Sequence, residues 1–328
     1  MFTVDLRNSL HRYPSRARRL SCYSVWAGLL LAVPAVVGIG PVSPQAQAAS
    51  CAAASATVLV AAETPVLDWS ENLGYDGAGN LWVSRSWQSE VLRYDNSGRV
   101  TARVSIAFPA AIRLGPDGLM YVNSGDLAAN LKSGLHGGAI VRFDPAAVSP
   151  MPEVFATGLS LPNGAAFDAD GNLYVADSAS GVLRIGRDGT VDTEWSARAP
   201  KNLDVLAGVD GTMINGLTVA GDALYVTVTA SPTGRVLRIP IDDPQHTTVA
   251  LDLLTSAGTI SPDDLIVGND GDLYIATSTG ALVRSDPSGN ACTIAVTHPL
   301  TSLAVVPGTD HELVAGTMTG EVLRIDLP

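Results

Sequence analysis

Side chains that carry oxygen donors stand at corresponding places in several segments of this sequence. Four of them, each just before an apolar run of similar pattern, are Glu71, Asn163, Asn215 and Asp263. Two carboxylates balance the charge of a divalent cation and two amide oxygens add neutral ligands, a set that Ca²⁺ accepts and that Mg²⁺ or Mn²⁺ would tolerate. Zinc prefers sulfur and imidazole ligands, and neither occurs at these places. The pattern predicts a site for a hard cation.

A second interpretation of the same residues is conformational. Asn and Asp are frequent in tight turns, where they favour the backbone geometry without binding a ligand. This interpretation suits the acidic residues of the predicted hairpin turns, which include Asp117, Asp170, Asp188 and Asp270. It does not suit Glu71, because Glu is a poor turn residue, and it does not explain the shared register. On the residue pattern alone, both interpretations stay open.

The unit that would position these residues is clearest in residues 161–188. An apolar run is followed by an Asp-Gly-Asn turn, a second apolar run, a small-residue loop and a third run, which is typical of antiparallel strands joined by hairpins. The unit recurs six times, and its second apolar run is marked by Leu81, Met120, Leu173, Leu224, Leu273 and Leu313. This spacing of roughly 40–50 residues is typical of one four-stranded blade per repeat. We therefore predict an all-β protein, a six-bladed β-propeller that occupies residues 49–328.

The two ends of the chain predict how the ring closes. The sixth repeat ends just after its third strand, at residues 322–325, and so lacks an outer strand. A strand-like run at residues 57–62 precedes the first repeat, and its pairing with the last blade would leave no exposed sheet edge. The residues that begin the inner strands would then surround a central channel; they are Glu71, Ala110, Asn163, Asn215, Asp263 and Thr301.

Two long connections fall on the face of the propeller where the inner strands begin. Residues 123–138 include Asp126 and His136, and residues 195–213 form the second connection. Long loops on one face of a rigid scaffold are where binding usually resides. We expect ligands to bind on this face.

The N-terminal region predicts export. Five Arg residues precede an apolar stretch at residues 25–40 and a small-residue sequence that ends at Ala48, the order of a secretory signal peptide. A membrane anchor is the rival interpretation, but the apolar stretch is shorter than the roughly 20 residues that a span needs, and it contains Pro34. We predict a signal peptide over residues 1–48, secretion after cleavage, and no lipid anchor on Cys51.

The net charge excludes some classes of partner, and the cysteine content indicates the compartment in which the protein resides. The formal net charge is −12, and removal of residues 1–48, which hold five Arg and one Asp, lowers it to −16. Such a chain repels nucleic acid and anionic membranes, so we expect neither as a partner. The two remaining cysteines, Cys51 and Cys292, favour a disulfide in an exported protein, with two free buried thiols as the alternative. Because Cys292 begins the outer strand of the fifth blade, this bond would pin the closing strand beside it.

The repeats and the four oxygen-bearing residues resemble the SMP-30/gluconolactonase/LRE family, six-bladed calcium-dependent lactonases and esterases that include regucalcin. The resemblance covers about residues 57–328. Ligands in that family are a Glu of the first blade, an Asn of the third and of the fourth, and an Asp of the fifth. The same blades here carry Glu71, Asn163, Asn215 and Asp263. The resemblance implies that Glu71, Asn215 and Asp263 hold Ca²⁺, while Asn163 binds it through water or contacts the substrate.

The same resemblance implies further roles. Asp263 matches the proposed base of the family, and the related paraoxonases carry another amide ligand where Asp264 stands here. Arg85 and His136 are candidate substrate contacts, with an ordinary surface role as the alternative for each. Sugar-acid lactonases of the family often have an Arg two residues before the third-blade Asn, and Leu161 occupies that place. This difference argues against a polar sugar lactone as the substrate.

These observations predict a secreted, monomeric, Ca²⁺-dependent hydrolase of a small-molecule lactone or related ester, in which the cation polarises the carbonyl for attack by water. The alternative is a non-catalytic, NHL-like propeller that binds a protein or a glycan on its loop face. A third hypothesis is a condensing enzyme similar to strictosidine synthase, to which no particular residue points. The sequence contains no G-x-S-x-G nucleophile motif, P-loop or dinucleotide fingerprint.

Overall fold

Six small antiparallel sheets follow one another along the chain in the computed structural model, which describes residues 49–127, 137–255 and 258–328. Each inner strand contacts the inner strand of the next sheet, and the sixth contacts the first, so the sheets form a closed ring. The predicted six-bladed β-propeller is confirmed. The predicted signal peptide lies outside the described residues.

Within the first five blades the strands run outwards from the central channel in chain order, whereas the outer strand of the last blade comes from the N-terminal part of the described chain. The inner strands are Ser70–Tyr75, Pro109–Leu114, Pro162–Phe167, Thr212–Ala220, Pro262–Val267 and Leu300–Val305. The second strands are Leu81–Arg85, Met120–Ser124, Leu173–Asp177, Ala223–Ala230, Leu273–Thr277 and Glu312–Thr317. The third strands are Glu90–Tyr94, Gly138–Phe143, Gly181–Ile185, Arg235–Pro240, Ala281–Ser285 and Val322–Asp326.

Five of the six blades have an outer strand. These strands are Val100–Ser105, Glu153–Leu159, Thr248–Asp252, Ala291–Ala295 and, in the last blade, Ser55–Val60. The remaining described elements are short: the strands Ala49–Ser50, Leu254–Thr255 and Gly258–Thr259, the 3₁₀ turns Ser86–Gln88, Val205–Ala207 and Pro244–His246, and the α-helix Thr193–Arg198.

The third blade departs from the predicted four strands. Its outer position is filled by the α-helix Thr193–Arg198, whose Asp192 N-cap accepts a hydrogen bond from the backbone N–H of Trp195. Ser196 Oγ accepts a hydrogen bond from the backbone N–H of Arg184, 3.0 Å away, so the helix satisfies part of the strand edge that an outer strand would pair. Trp195 is buried against Tyr174, with ring centroids 5.2 Å apart. Among the described residues, no helix is both long and apolar enough to cross a membrane.

The N-terminal strand closes the ring, at Ser55–Val60 rather than at the predicted residues 57–62. It pairs antiparallel with Val322–Asp326 and so completes the last blade. Just before it, Ala49–Ser50 runs parallel to Ala291–Ala295, the outer strand of the fifth blade. Cys51 and Cys292 form a disulfide there, with their Cα atoms 5.2 Å apart.

The hydrophobic core lies between neighbouring blades. One cluster joins the last blade to the first, because Val314 and Val322 pack with Leu73 and Val83, and Val60 of the closing strand belongs to the same cluster. Alternate residues of a strand point to opposite faces of its sheet, so each blade buries apolar side chains against both neighbours. The packing therefore fixes the positions at which the six inner strands begin.

The disulfide yields a first prediction. Cys51 and Cys292 are 241 residues apart in the sequence, so their bond restricts the unfolded chain strongly. We expect the double substitution Cys51→Ser/Cys292→Ser to lower the free energy of unfolding by about 2–4 kcal/mol. Denaturant titration of the oxidised protein and of the variant measures this difference. A reductant should destabilise the unsubstituted protein and leave the variant unchanged, and equal stability of the two proteins would contradict the prediction.

Candidate functional site

The pairing of every inner strand with its second strand is interrupted near its start. The register shifts between Ser70 and Asn72 in the first blade, and corresponding shifts occur in the other five. A bulge leaves residues out of the ladder and changes the direction of their side chains. The residues at these six interruptions include Glu71, Ala110, Asn163, Asn215, Asp263 and Thr301. The shared register of the sequence thus corresponds to a shared backbone irregularity around the channel mouth.

Glu71 and Asn163 meet across the channel mouth. Asn163 Nδ2 donates to Glu71 Oε1 at 3.0 Å and to Asp126 Oδ2 at 3.2 Å. Trp69 Nε1 donates to the other oxygen of Glu71. The backbone carbonyl of Asn163 accepts a hydrogen bond of 2.7 Å from Asn123 Nδ2, which fixes the start of the third inner strand. The side-chain amide of Asn163 therefore joins the carboxylates of Glu71 and Asp126.

Asn215 and Asp263 form a second pair on the adjoining blades. Asn215 Nδ2 donates to Asp263 Oδ1 at 2.9 Å and to Thr229 Oγ1 at 2.8 Å. The Oδ1 atom of Asn215 is buried and has no hydrogen-bond partner among the described residues. Leaving a buried acceptor unpaired costs free energy, so this oxygen is available to a ligand that the protein alone does not supply.

Asp264 joins the opposite side of the channel. Its Oδ2 atom accepts a hydrogen bond of 3.1 Å from Asn72 Nδ2 and lies 3.5 Å from a guanidinium nitrogen of Arg113. Arg113 also donates to Asn72 Oδ1 at 2.6 Å. The second oxygen of Asp264, Oδ1, is buried without a partner in the described part of the chain. Asp264 therefore has a positive partner that Glu71 and Asp263 lack among their described contacts.

The inner strands of the third, fourth and fifth blades approach each other closely. A Cβ atom on Gly164 would lie 2.4 Å from the carbonyl oxygen of Asn215, and one on Gly216 would lie 2.5 Å from Cα of Asp264. Such distances exclude any side chain unless the backbone shifts. Glycine after each Asn thus lets the neighbouring strands bring Asn163, Asn215 and Asp263 together.

The carboxyl groups of the channel mouth repel one another. Burial raises the pKa of Asp263 well above its ordinary value, and the negative charges of Glu71, Asp264 and Asp126 raise it further. The pKa of Asp126 is raised well above its ordinary value by burial and then by the charge of Glu71. Burial also raises the pKa of Glu71, against the hydrogen bonds from Trp69 and Asn163. A cation among these groups would offset both the burial and the repulsion that raise the three pKa values.

The donor set fits a hard divalent cation. It offers carboxylates and amides only, two of its buried oxygens lack partners, and its carboxylates are under mutual repulsion. Within the described residues, no three His, Cys, Asp or Glu side chains converge into a metal cage by themselves. Asn163 and Asn215 add amide oxygens to the carboxylates of this donor set, as the sequence pattern implied.

The structure gives no support to the two candidate substrate contacts, Arg85 and His136. Arg85 is buried between the first and last blades, where its guanidinium donates to the carbonyls of Asp68 and Gly320, to Ser70 Oγ and to Tyr94 OH. With these donors used, Arg85 ties two blades together, and its position gives no support to a substrate contact. His136 lies outside the described residues.

Sequence reasoning did not assign Asp126 and Arg113 to the site. The sequence pattern places Asp126 only in a long loop, although it follows the second strand of the second blade by two residues. That place lies on the channel-mouth face, so its position relative to the strand was the usable signal. Arg113 is the fifth residue of an inner strand. Whether a side chain at that place reaches the channel depends on the local direction of the backbone, which the sequence pattern does not show.

Comparisons with known proteins support the fold. The profile of the family described as strictosidine synthase-like, N-terminal, matches residues 249–285, a small part of the chain. No curated protein has a significantly similar sequence. Because the family match is short, it does not by itself assign the chain to that family.

Solved structures match over nearly their full length. A gluconolactonase from Xanthomonas campestris has 18% identity and a TM-score of 0.61, and the match covers 89% of this chain and 99% of that one. A calcium-binding regucalcin from Agrobacterium tumefaciens has 18% identity and a TM-score of 0.58, with coverages of 86% and 97%. Virginiamycin B lyase from Staphylococcus aureus has 14% identity and a TM-score of 0.57, with coverages of 84% and 100%. The chain therefore shares its overall fold with these three proteins.

The repulsion at the channel mouth yields a second prediction. A raised carboxyl pKa means that the folded state holds the proton more tightly than the unfolded chain. The free energy of unfolding therefore falls as the pH rises from the pKa of the unfolded chain to the raised pKa of the folded state. At pH 7 in a chelator, we expect Glu71→Gln to raise the melting temperature by a few degrees, the shift that about 1 kcal/mol produces in a domain of this size. Added Ca²⁺ should stabilise the unsubstituted protein more than the variant.

Asp170→Asn is the matched control, because it removes one negative charge from an exposed turn on the opposite face. Its melting temperature in chelator should stay close to that of the unsubstituted protein. A lower melting temperature for Glu71→Gln in chelator would contradict mutual repulsion at the channel mouth.

Proposed function

We propose that this protein is a Ca²⁺-dependent hydrolase of lactones or related esters that acts at the mouth of the propeller channel. The observation that carries the proposal is the ring of carboxylates and amides at the starts of the inner strands, in which Asn215 Oδ1 and Asp264 Oδ1 are buried without a hydrogen-bond partner among the described residues. The likeness in fold to a gluconolactonase and to a calcium-binding regucalcin supports the same activity and the same ion. The substrate is a small molecule, since the site lies within a channel between six strands.

Glu71, Asn163, Asn215 and Asp263 would hold the cation. When bound, Ca²⁺ would act as a Lewis acid on the substrate carbonyl. Asn215 would contribute its unpartnered Oδ1, and the carboxylates of Glu71 and Asp263 would balance the charge. Asp264 would offer its free Oδ1 from the adjacent position, while Asn72 and Arg113 hold its other oxygen in place.

Asp263 is the residue we assign to proton transfer. It is nearly buried, and its Oδ1 is held by Asn215, which orients the carboxylate towards the channel. Burial raises the pKa of Asp263 and the surrounding carboxylates raise it further, whereas a cation held by the same carboxylate would lower that pKa and make Asp263 a weaker base. Asp264 is a second candidate for this step, because burial raises its pKa although the nearby Arg113 guanidinium opposes that rise. Asn163 positions Glu71 and Asp126 and stands where it can contact a substrate.

The proposed setting is outside the cytoplasm, with the protein acting as a monomer. The charged and apolar pattern of residues 1–48 supports export, and Cys51 and Cys292 are bonded as an oxidising compartment allows. The acidic chain also supports the absence of nucleic acid and anionic membranes from its partners.

Calorimetry tests the proposed cation site. We expect the protein to bind Ca²⁺ with micromolar or tighter affinity, and the double substitution Glu71→Gln/Asp263→Asn to abolish binding while the circular dichroism spectrum stays unchanged. A screen of lactones and aryl esters should then show hydrolysis that a chelator removes and Ca²⁺ restores. A protein that binds no divalent ion would overturn the hydrolase and leave a binding propeller as the better interpretation.

Asp126 provides a further prediction. It accepts a hydrogen bond from Asn163 and repels Glu71, so it should both orient the amide and add negative charge to the cation site. Loss of such an orienting group typically weakens metal binding by 10–100-fold. We expect Asp126→Asn to weaken Ca²⁺ binding by about tenfold, as measured by calorimetry, with Asp170→Asn as the equal-charge control. Unchanged affinity in Asp126→Asn would remove Asp126 from the site.

A further inference from the structure

A guanidinium lies inside the channel and contacts the blade on the far side. Arg113 belongs to the inner strand of the second blade, and its Nη2 lies 3.5 Å from Oδ2 of Asp264 in the fifth blade. The second and fifth blades are opposite each other in a ring of six, so this ion pair crosses the channel rather than an interface between neighbouring blades. The side chains of Arg113 and Asp264 are only 20% and 4% exposed. The pair is therefore largely shielded from solvent.

Three oxygen atoms from three blades surround this guanidinium. Nη1 of Arg113 donates to Oδ1 of Asn72 at 2.6 Å and to the backbone carbonyl of Ile112 at 2.9 Å, while Nη2 faces Asp264. Asn72, Ile112 and Asp264 belong to the inner strands of the first, second and fifth blades. An amide oxygen, a backbone carbonyl and a carboxylate are also the ligands that a hard divalent cation accepts. At this place the protein supplies the positive charge from its own side chain.

The same contacts fix the orientation of Asp264. Asn72 Nδ2 donates to Asp264 Oδ2 at 3.1 Å, and this hydrogen bond also spans the channel, because the sixth blade lies between the first and the fifth. Asn72 and Arg113 thus hold one oxygen of Asp264, while Oδ1 is buried without a partner among the described residues. A Cβ atom on Gly216 would lie 2.9 Å from this Oδ1. The unpartnered oxygen therefore lies beside the inner strand that carries Asn215.

A guanidinium differs from a bound metal ion in that it cannot dissociate. It stays charged across the physiological pH range, and its planar set of N–H donors matches several oxygen acceptors at once. Without Arg113, the buried carboxylate of Asp264 would lack its opposite charge, and Oδ1 of Asn72 would lose a donor. A buried charge that loses its partner is strongly destabilising. The vacated place would therefore favour another cation.

We propose that Arg113 is a built-in cation of the channel, which fills a place that would otherwise take a second divalent ion and positions Asp264 beside the exchangeable ion at the mouth. The channel then needs one exchangeable cation instead of two. The statement about the mouth rests on the proposed function, whereas the statement about the place of Arg113 does not.

Arg113→Ala removes the guanidinium and keeps the three oxygen acceptors. Calorimetry with Ca²⁺ should show one more bound ion for this variant than for the unsubstituted protein under the same conditions, with a dissociation constant of about 0.1–1 mM for the added ion. Arg113→Lys is the matched control, because it keeps a positive charge at the same position. It should bind the same number of ions as the unsubstituted protein.

The melting temperature separates this role from ordinary packing. In a chelator, Arg113→Ala should melt below the unsubstituted protein, because Asp264 has lost its charge partner. Millimolar Ca²⁺ should then raise the melting temperature of Arg113→Ala by more than it raises that of the unsubstituted protein or of Arg113→Lys. Equal Ca²⁺ shifts in the three proteins would mean that the guanidinium only packs, and they would overturn the proposal.

The remaining outcomes distinguish this inference from the proposed function. If the unsubstituted protein binds no Ca²⁺, the proposed hydrolase fails, but an Arg113→Ala variant that gains one ion still supports the built-in cation. If Arg113→Ala is unfolded in chelator, refolding on addition of Ca²⁺ supports the inference and failure to refold contradicts it. No gain of an ion in Arg113→Ala, or the same gain in Arg113→Lys, would overturn it.

Discussion

The pairing of Ser55–Val60 with Val322–Asp326 is the contact on which the rest of the structure depends. It joins a strand near the start of the described residues to the last strand of the chain, in the blade whose inner strand contacts that of the first blade. Without it, the last blade would keep an open edge and the six strand starts would no longer face one channel. The disulfide between Cys51 and Cys292 lies just before this strand and holds it to the neighbouring blade.

Ring closure brings together groups that repel each other. The carboxylates at the mouth raise one another's pKa, and the amides of Asn163 and Asn215 compensate only part of the charge with their N–H groups. The concentration of negative charge at one place therefore lowers the stability of the folded protein. The proposed cation in the channel would account for this concentration of charge.

Periodicity was sufficient to predict the number of blades, the closing strand to within two residues and the register of Glu71, Asn163, Asn215 and Asp263. These features repeat, so each copy supports the others. The helix that replaces the outer strand of the third blade was missed, because it occurs once and depends on local capping by Asp192. Asp126 and Arg113 were missed for a related reason: their roles arise from contacts between blades that have no counterpart in the other repeats. Arg85 was a candidate substrate contact because its place at the end of a strand does not reveal that its side chain is buried.

Luminescence of Tb³⁺, which can replace Ca²⁺ at oxygen-ligand sites, tests the central claim that a cation binds at the channel mouth. Trp69 donates a hydrogen bond to Glu71, so its indole is in place to sensitise an ion held there. Excitation of tryptophan should produce Tb³⁺ emission that Ca²⁺ displaces, that Trp69→Phe weakens and that Glu71→Gln/Asp263→Asn abolishes. An absence of sensitised emission, or emission that survives the double substitution, would show that the carboxylate ring does not hold a cation.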